Sequence, residues 1–252
     1  MMKGTFFQKP LEFSLRVEGE SWRQGEAIAG TLFAKNHGAQ ALPGGFQVKL
    51  ARGTLKKVHQ KVSGAFYEIL ATSSAPAGEI APQAELGHSW RFQTDRNCPI
   101  TDNTESLFLL YGSESETEKM GHLQVTIKPE PVIEEFLKAF QIEFRFVVKS
   151  FKSSKRGVDV KLMPPDSQHF TMLDYAQLSF RFDGDVLHVG YVFNLKEVQA
   201  SSAAVDVKKK KKEFEQTFAP GEYRLSSGRF NHERLEAAAA EAIKQVEGKT
   251  LF

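Results

Sequence analysis

The chain has 252 residues, of which 41% are hydrophobic and 25% charged, a composition that excludes a wholly disordered or collagen-like protein. Phenylalanine is unusually frequent, with 21 Phe against 5 Tyr and 2 Trp. Because Phe favours half-buried strands and has no polar atom, this bias indicates β-rich cores. The formal net charge is only +2, and residues 208–212 alone contribute +5, so the rest of the chain is slightly acidic. A general nucleic-acid binder normally carries a broad basic face, and we expect no nucleic-acid partner.

The single cysteine and the start of the chain bear on the cellular compartment. Cys98 is the only cysteine, which excludes an intramolecular disulfide and fits a reducing compartment. The first ten residues lack the apolar stretch of a signal peptide, and no later apolar run approaches the roughly 18 to 20 residues of a membrane span. The sequence therefore predicts a cytoplasmic protein.

The first 128 residues predict strands separated by turns. Apolar and polar residues alternate over residues 11–17, as in a strand with one buried face. The predicted strands cover residues 11–17, 27–33, 46–50, 54–58, 65–71, 87–93, 106–111 and 122–127. Short strands at this spacing, with no predicted helix among them, favour an antiparallel β-sandwich over a parallel α/β sheet.

The pattern changes at the Lys-Pro-Glu-Pro segment 128–131, which predicts an extended connector. Apolar residues at helical spacing then predict a short amphipathic helix over 132–140, and Asn231 as N-cap predicts a terminal helix over 231–247. Between the helices, strands are predicted over 142–148, 158–162, 176–182, 186–193 and 213–218, with a hairpin turn at 183–185. The predicted fold is mainly β, with two antiparallel β-sandwich domains at 1–128 and 129–252.

A tight turn is predicted between the strands at 11–17 and 27–33, and Trp22, Gly25, Glu26 and Gly30 define it. Gly25 tolerates a positive φ, and Gly30 permits a bulge or a close approach of two strands. This stretch resembles the opening of arrestin-like domains, in which an aromatic residue precedes a Pro-Gly-Glu turn and a glycine follows in the next strand. Gln24 stands where that pattern has proline.

Three later segments, 121–127, 131–140 and 173–189, resemble in order the bacterial sporulation-control family SpoOM, within the arrestin-like superfamily. The resemblance covers most of the chain in order and hydrophobic pattern. It implies an arrestin-like module followed by a second β-sandwich, which is reached through a short helix.

The sequence contains no recognisable catalytic, metal-binding or phosphate-binding motif. Its seven histidines lie at least 19 residues apart, and neither a phosphate loop nor a nucleophile elbow is present. Cys98 lies close to Arg96, which favours a thiolate, but no His or Asn partner is identifiable. We therefore predict no catalytic residue, no metal site and no cofactor.

The lysine run comprises Lys208, Lys209, Lys210, Lys211 and Lys212. Five adjacent cations repel one another, so the segment is predicted to be a solvated loop. Three interpretations stay open: a loop without a specific ligand, contact with anionic lipid head groups at about 1 kcal/mol per lysine, and binding of an acidic or phosphorylated partner.

The leading functional hypothesis is a non-enzymatic adaptor or regulatory protein that binds protein partners through its sheet edges and the surface between its domains. The alternative is a peripheral membrane or trafficking-like scaffold that uses the lysine run to contact anionic head groups. A second alternative is an enzyme whose site assembles only in three dimensions.

Overall fold

The computed structural model describes residues 1–113, 117–200 and 205–246, and at 197–200 and 205–208 it describes the backbone alone. The chain forms two compact units, Met1–Lys128 and Pro129–Phe252. The main sheets of both units are antiparallel, which confirms the predicted mainly β class.

The first unit is built from short strands that form two four-stranded sheets. In chain order, they are β1 (Met2–Gln8), β2 (Leu11–Val17), β3 (Trp22–Arg23), β4 (Ala27–Asn36), β5 (Leu42–Pro43), β6 (Gln47–Thr54), β7 (Phe66–Ser74), β8 (Glu79–Ile80), β9 (Glu85–Gln93), β10 (Glu105–Gly112), β11 (Gly121–Val125) and β12 (Ile127–Lys128). One sheet has the order β1-β2-β4-β9 and the other β11-β10-β6-β7. Two short pairs, β5 with β8 and β3 with β12, accompany them.

Alternate residues of these strands fill the core of the first unit. In β4, every second residue is buried, as expected for a strand with one face in the core. Phe13 and Leu32 enter the core from the first sheet, and Val48 and Leu109 enter the same cluster from the second. The two sheets therefore pack face to face as a sandwich.

A short helix, α1 (Leu55–Gln60), lies where the sequence predicted a strand over 54–58. That prediction, and the expectation of no helix in the first 128 residues, are wrong. Val58 is the buried residue of this helix, so the segment lacks the alternating burial of a strand. Lys61 ends the helix in the left-handed conformation, at φ +53°, and its N–H bonds to the carbonyl groups of Lys57 and Val58.

The second unit contains one five-stranded sheet whose strands follow one another in chain order. Its strands are β13 (Val147–Ser154), β14 (Gly157–Met163), β15 (Leu173–Asp183), β16 (Val186–Ala200) and β17 (Val205–Phe218). The hairpin turn predicted at 183–185 is confirmed, because Asp183 pairs with Val186 and Gly184 adopts φ +56°.

Helices cover one face of this sheet. They are α2 (Pro131–Ile142), α3 (Pro220–Tyr223) and α4 (His232–Lys244). The first and last match the predicted helices at 132–140 and 231–247, although residue 247 lies outside the described residues. Phe136 of α2 packs on Phe180 and Phe218 of the sheet, with ring centroids 5.7 and 5.8 Å apart. The sequence predicted a sandwich for this unit. Among its described residues, the apolar stripes of α2 and α4 supply the layer that packs on this face of the sheet.

Candidate interaction surface on an edge strand

The lysine run lies in strand β17 and not in a loop, which corrects the sequence prediction. Each lysine faces a residue of β16, from Glu197 opposite Lys208 to Phe193 opposite Lys212. The strand forms because its backbone pairs with β16 throughout, and because the repulsion between exposed ammonium groups is weak in water. Repulsion between the lysines alone therefore does not determine the structure of this segment.

Successive lysines of β17 point to opposite faces of the sheet. Lys210 and Lys212 lie on the face that carries the helices, whereas Lys209 and Lys211 lie on the other. These four lysines are exposed, and the side chain of Lys208 lies outside the described residues. The run therefore presents positive charge on both faces of the strand.

Lys212 has a structural partner. Its Nζ donates to the backbone oxygen of Gln245, 2.6 Å away, at the C-cap of α4. A cation there satisfies a carbonyl group at the end of the helix and interacts favourably with the helix dipole. Within the described ranges, no hydrogen bond or ion pair engages the side chains of Lys209, Lys210 and Lys211.

The charge on β17 changes along the strand. Lys209 lies opposite Lys196, and an ion pair of 3.0 Å between Lys196 and Asp174 offsets this like-charge contact. Further along, Glu215 accepts a hydrogen bond of 3.2 Å from Arg181. The uncompensated positive charge is thus confined to the half of the strand that contains the lysine run.

Strand β17 is also an edge strand. It is the last strand in the sheet order, so its outer side has no partner strand in the part of the chain that the structure describes. Such an edge presents a row of backbone donors and acceptors that an extended chain can bind.

Strand β7 forms an exposed edge in the first unit, but its geometry is irregular. Tyr67, Ile69 and Leu70 on it are 48%, 42% and 41% exposed. Its register against β6 shifts twice, and each shift marks a bulge. Bulges twist an edge strand away from regular pairing, so β7 is a poorer acceptor of an added strand than β17.

The predicted turn residues do form a turn. The Glu26 N–H donates to the carbonyl of Arg23 at 3.0 Å, Glu26 Oε2 accepts from the Arg23 N–H at 2.8 Å, and Gly25 adopts φ +83°. Trp22 is buried, and its backbone N–H donates to the carbonyl of Thr126 at 2.9 Å. These hydrogen bonds stabilise the turn and connect β3 to the end of the first unit, so the residues of the motif have a structural role.

Gln24, at the position of the expected proline, is buried, and its Nε2 donates to the carbonyl of Cys98 at 2.5 Å. Proline has no donor for this bond. Burial raises the pKa of the Cys98 thiol to about 12, so the thiol is protonated at neutral pH. The thiolate nucleophile considered from the sequence is therefore not formed here.

A polar cluster that the sequence did not reveal lines a depression of about 420 Å³ on the second unit. It includes Ser179, Arg181, His188 and Glu215, and His188 Nδ1 lies 3.1 Å from Glu215 Oε1. The hairpin register places Arg181 opposite His188, and the predicted turn at 183–185 was sufficient to predict that pair. The position of Glu215 could not be predicted in this way, because it depends on the pairing of β17 with β16. Within the described ranges, no hydrogen bond joins Ser179 to His188, so they form no nucleophile–base pair.

The described ranges contain neither a metal-binding cluster nor a helix that could span a membrane. No three His, Cys, Asp or Glu side chains there are grouped so that they could hold a metal ion. None of the helices there is long and apolar enough to cross a bilayer.

No protein-family model and no curated protein matches this sequence. The fold, however, matches the crystal structure of Spo0M, a sporulation control protein from Bacillus subtilis, with a TM-score of 0.62 over 94% of this chain and 98% of that chain. The chain has a Spo0M-like fold. Because the sequence identity to Spo0M is 17%, the likeness shows the fold alone.

Two other solved structures match only part of the chain. A β-glucosidase from Listeria innocua matches 49% of this chain and 17% of its own, with 15% identity and a TM-score of 0.32. The alkylpurine DNA glycosylase AlkC from Pseudomonas fluorescens matches 45% of this chain and 29% of its own, with 11% identity and a TM-score of 0.30. Each of these matches covers less than half of this chain, and neither carries an argument about it.

Proposed function

We propose that this protein is a non-enzymatic regulatory adaptor whose edge strand β17 binds an extended acidic segment of a protein partner. The observation that carries the proposal is the row of exposed lysines, Lys209, Lys210 and Lys211, on the open edge of the five-stranded sheet. The regulatory class is supported by the Spo0M-like fold, because Spo0M is a sporulation control protein. A fold alone does not define a function, and the support for the binding site is the chemistry of β17 itself.

Strand addition explains why the charge is on an edge. An added strand would exchange backbone hydrogen bonds with β17 and place its side chains alternately on the two faces. Carboxylates opposite Lys209 and Lys211 on one face, and opposite Lys210 on the other, would each form a cross-strand ion pair. A second copy of β17 would instead bring lysines against lysines, so this edge selects an acidic partner and disfavours self-association.

Replacing Lys209, Lys210 and Lys211 by glutamine is expected to weaken the binding of an acidic peptide about tenfold. Each exposed ion pair contributes about 0.2–1 kcal/mol, so the loss of three costs roughly 0.6–3 kcal/mol, a range that includes the ~1.4 kcal/mol of a tenfold change. Fluorescence anisotropy with a labelled peptide of alternating Glu and Thr measures the change. Lys212 is kept, because it caps α4.

A charge-matched control replaces Lys149, Lys152 and Lys155, three exposed lysines on or next to β13 at the opposite edge of the same sheet. This control should bind the peptide as the unmodified protein does, and equal loss in both variants would exclude β17 as the site. The same peptide with every backbone amide N-methylated keeps its charge and loses all of its backbone donors. If it binds as tightly as the parent peptide, strand addition is excluded.

A specific arrangement of charge favours a second candidate, a peripheral membrane or trafficking-like scaffold. Lys209 and Lys211 share the outer sheet face with Lys161 and Lys196, as the strand register shows. A flat anionic bilayer would meet these ammonium groups together, and each lysine near such a surface contributes about 1 kcal/mol.

In this second function, replacing Lys209 and Lys211 by glutamine should reduce co-sedimentation with phosphatidylserine vesicles strongly. A loss of about 2 kcal/mol corresponds to roughly thirtyfold in affinity. Lys210→Gln should change little, because Lys210 lies on the other face. Vesicle binding that is unchanged in the double variant would contradict the membrane role, and equal effects of Lys209, Lys210 and Lys211 on peptide binding would favour strand addition.

A further inference from the structure

A cavity of about 420 Å³ lies in the first unit, away from the turn motif. Phe6, Val58, Phe66 and Met120 supply apolar wall, and Tyr111, Lys61, Glu118 and His122 supply the polar groups. Its size and its mixture of apolar wall with few polar groups are typical of small-molecule sites.

The hydroxyl group of Tyr111 is unusual. Tyr111 is only 2% exposed, and its ring packs edge-on against Phe6 at 6.4 Å. Gly4 and Gly121 make room for the Tyr111 side chain. A Cβ at position 4 would lie 2.5 Å from the hydroxyl oxygen, and a Cβ at position 121 would lie 2.9 Å from Cζ. Among the described residues the hydroxyl has no hydrogen-bond partner, and it is not one of the fully buried unpaired polar atoms, so it is accessible from the cavity that Tyr111 lines.

A second buried tyrosine, Tyr191, has the hydrogen-bond partner that Tyr111 lacks among the described residues. The hydroxyl of Tyr191, in the second unit, donates to Gln216 Oε1 at 2.6 Å. Burial raises the pKa of Tyr111 to about 12, so its hydroxyl keeps its proton at neutral pH and can donate to a ligand. The cavity wall therefore contains a donor that the described chain does not use.

The charged groups around the cavity are unequally engaged. Glu118 Oε1 accepts hydrogen bonds from the Gly64 N–H at 3.2 Å and from Ser63 Oγ at 3.3 Å. Lys61 is exposed and forms no ion pair within the described ranges. Burial, together with the charge of Lys61, lowers the pKa of His122, so the imidazole is neutral at neutral pH. Among the described residues that line this cavity, the groups without a hydrogen-bond partner thus include a phenol donor and an ammonium group.

We propose that this cavity binds a small amphipathic carboxylate, with its carboxylate at Tyr111 and Lys61 and its apolar body against Phe6, Phe66 and Met120. One negative charge matches the single ammonium group, whereas a more highly charged head group would face the carboxylate of Glu118. The site is independent of the binding surface on β17.

Octanoate is the probe for this site, and the methyl signals of [¹³C-methyl]-methionine are the readout. Met120 is buried in the cavity wall, whereas Met163 and Met172 belong to the second unit and serve as internal references. We expect octanoate to shift the Met120 signal saturably and leave the references unchanged. 1-Octanol, which has the same chain without the charge, should bind at least tenfold more weakly.

Two variants test the head-group contacts. Tyr111→Phe keeps the ring and is expected to weaken octanoate binding about tenfold or more, whereas Tyr191→Phe should leave binding unchanged. Lys61→Gln alters an exposed side chain and should weaken binding as well, which keeps the test valid if Tyr111→Phe fails to fold. The proposal is overturned if Met120 shows no saturable shift, if all methionine signals move together, if octanol binds as tightly as octanoate, or if Tyr111→Phe folds and binds normally.

Discussion

Replacement of Phe136 by alanine is expected to destabilise the second unit by about 3–5 kcal/mol. Phe136 is fully buried between helix and sheet, with ring centroids 6.0 Å from Phe140, 5.7 Å from Phe180 and 5.8 Å from Phe218. Alanine would leave a cavity that these surrounding rings cannot fill without leaving their own contacts. Urea unfolding followed by far-UV circular dichroism measures the loss, because α2 and α4 belong to this unit.

Phe144→Ala is the matched control for this substitution. Phe144 follows α2, is only partly buried, and contacts one ring, that of Phe140, at 6.4 Å. The same change of side chain should therefore cost about 1 kcal/mol or less, because a partly exposed site loses less buried area and leaves no enclosed cavity. If the two variants unfold at the same urea concentration, the layer of helices does not depend on Phe136 in the way its contacts indicate.

The sequence could predict the elements whose buried faces repeat regularly. In β4, burial alternates over all ten residues, and the predicted strand at 27–33 lies inside it. The helix predicted at 132–140 lies inside α2 because its apolar residues recur at helical spacing. In both cases, the pattern along the chain follows directly from which face meets the core.

The sequence did not predict the secondary structure where pairing with a neighbouring strand determines it, or where apolar and polar residues do not alternate regularly. The lysine run has strong local repulsion, and only its pairing with β16 makes it a strand. In α1, Val58 is the single buried residue, so the sequence shows no helical spacing of apolar residues from which the helix could be predicted. Local sequence is a weak guide wherever tertiary pairing supplies most of the stabilisation.

The cavity at Tyr111 was beyond sequence reasoning for a different reason. Gly4, Tyr111 and Gly121 lie in three strands, and the room around the hydroxyl exists only when those strands are assembled. The absence of a hydrogen-bond partner is likewise a property of the folded chain. A Tyr that follows four apolar residues in β10 gives no sign of either.

Gly30→Ala is expected to destabilise the first unit by about 3 kcal/mol. A Cβ at position 30 would overlap the backbone oxygen of Arg16 in β2 and lie 2.8 Å from the ring of Trp90. The backbone of β2 is paired on both sides and has little freedom to move away. Both tryptophans, Trp22 and Trp90, belong to this unit, so urea unfolding followed by tryptophan fluorescence measures its stability selectively.

Gly87→Ala in β9 is the control. It separates the effect of the close contact with the Arg16 backbone from the general effect of replacing a glycine in a strand. Gly87 is in the same sheet, and the nearest atom to an added Cβ is a ring carbon of Phe33 at 3.2 Å. A side chain can rotate by the few tenths of an ångström required, whereas the paired backbone at Arg16 cannot. We therefore expect Gly87→Ala to change the free energy of unfolding by less than about 1 kcal/mol, partly because alanine reduces the entropy of the unfolded chain. Equal destabilisation by the two substitutions would show that the contact with Arg16 is not what requires glycine at position 30.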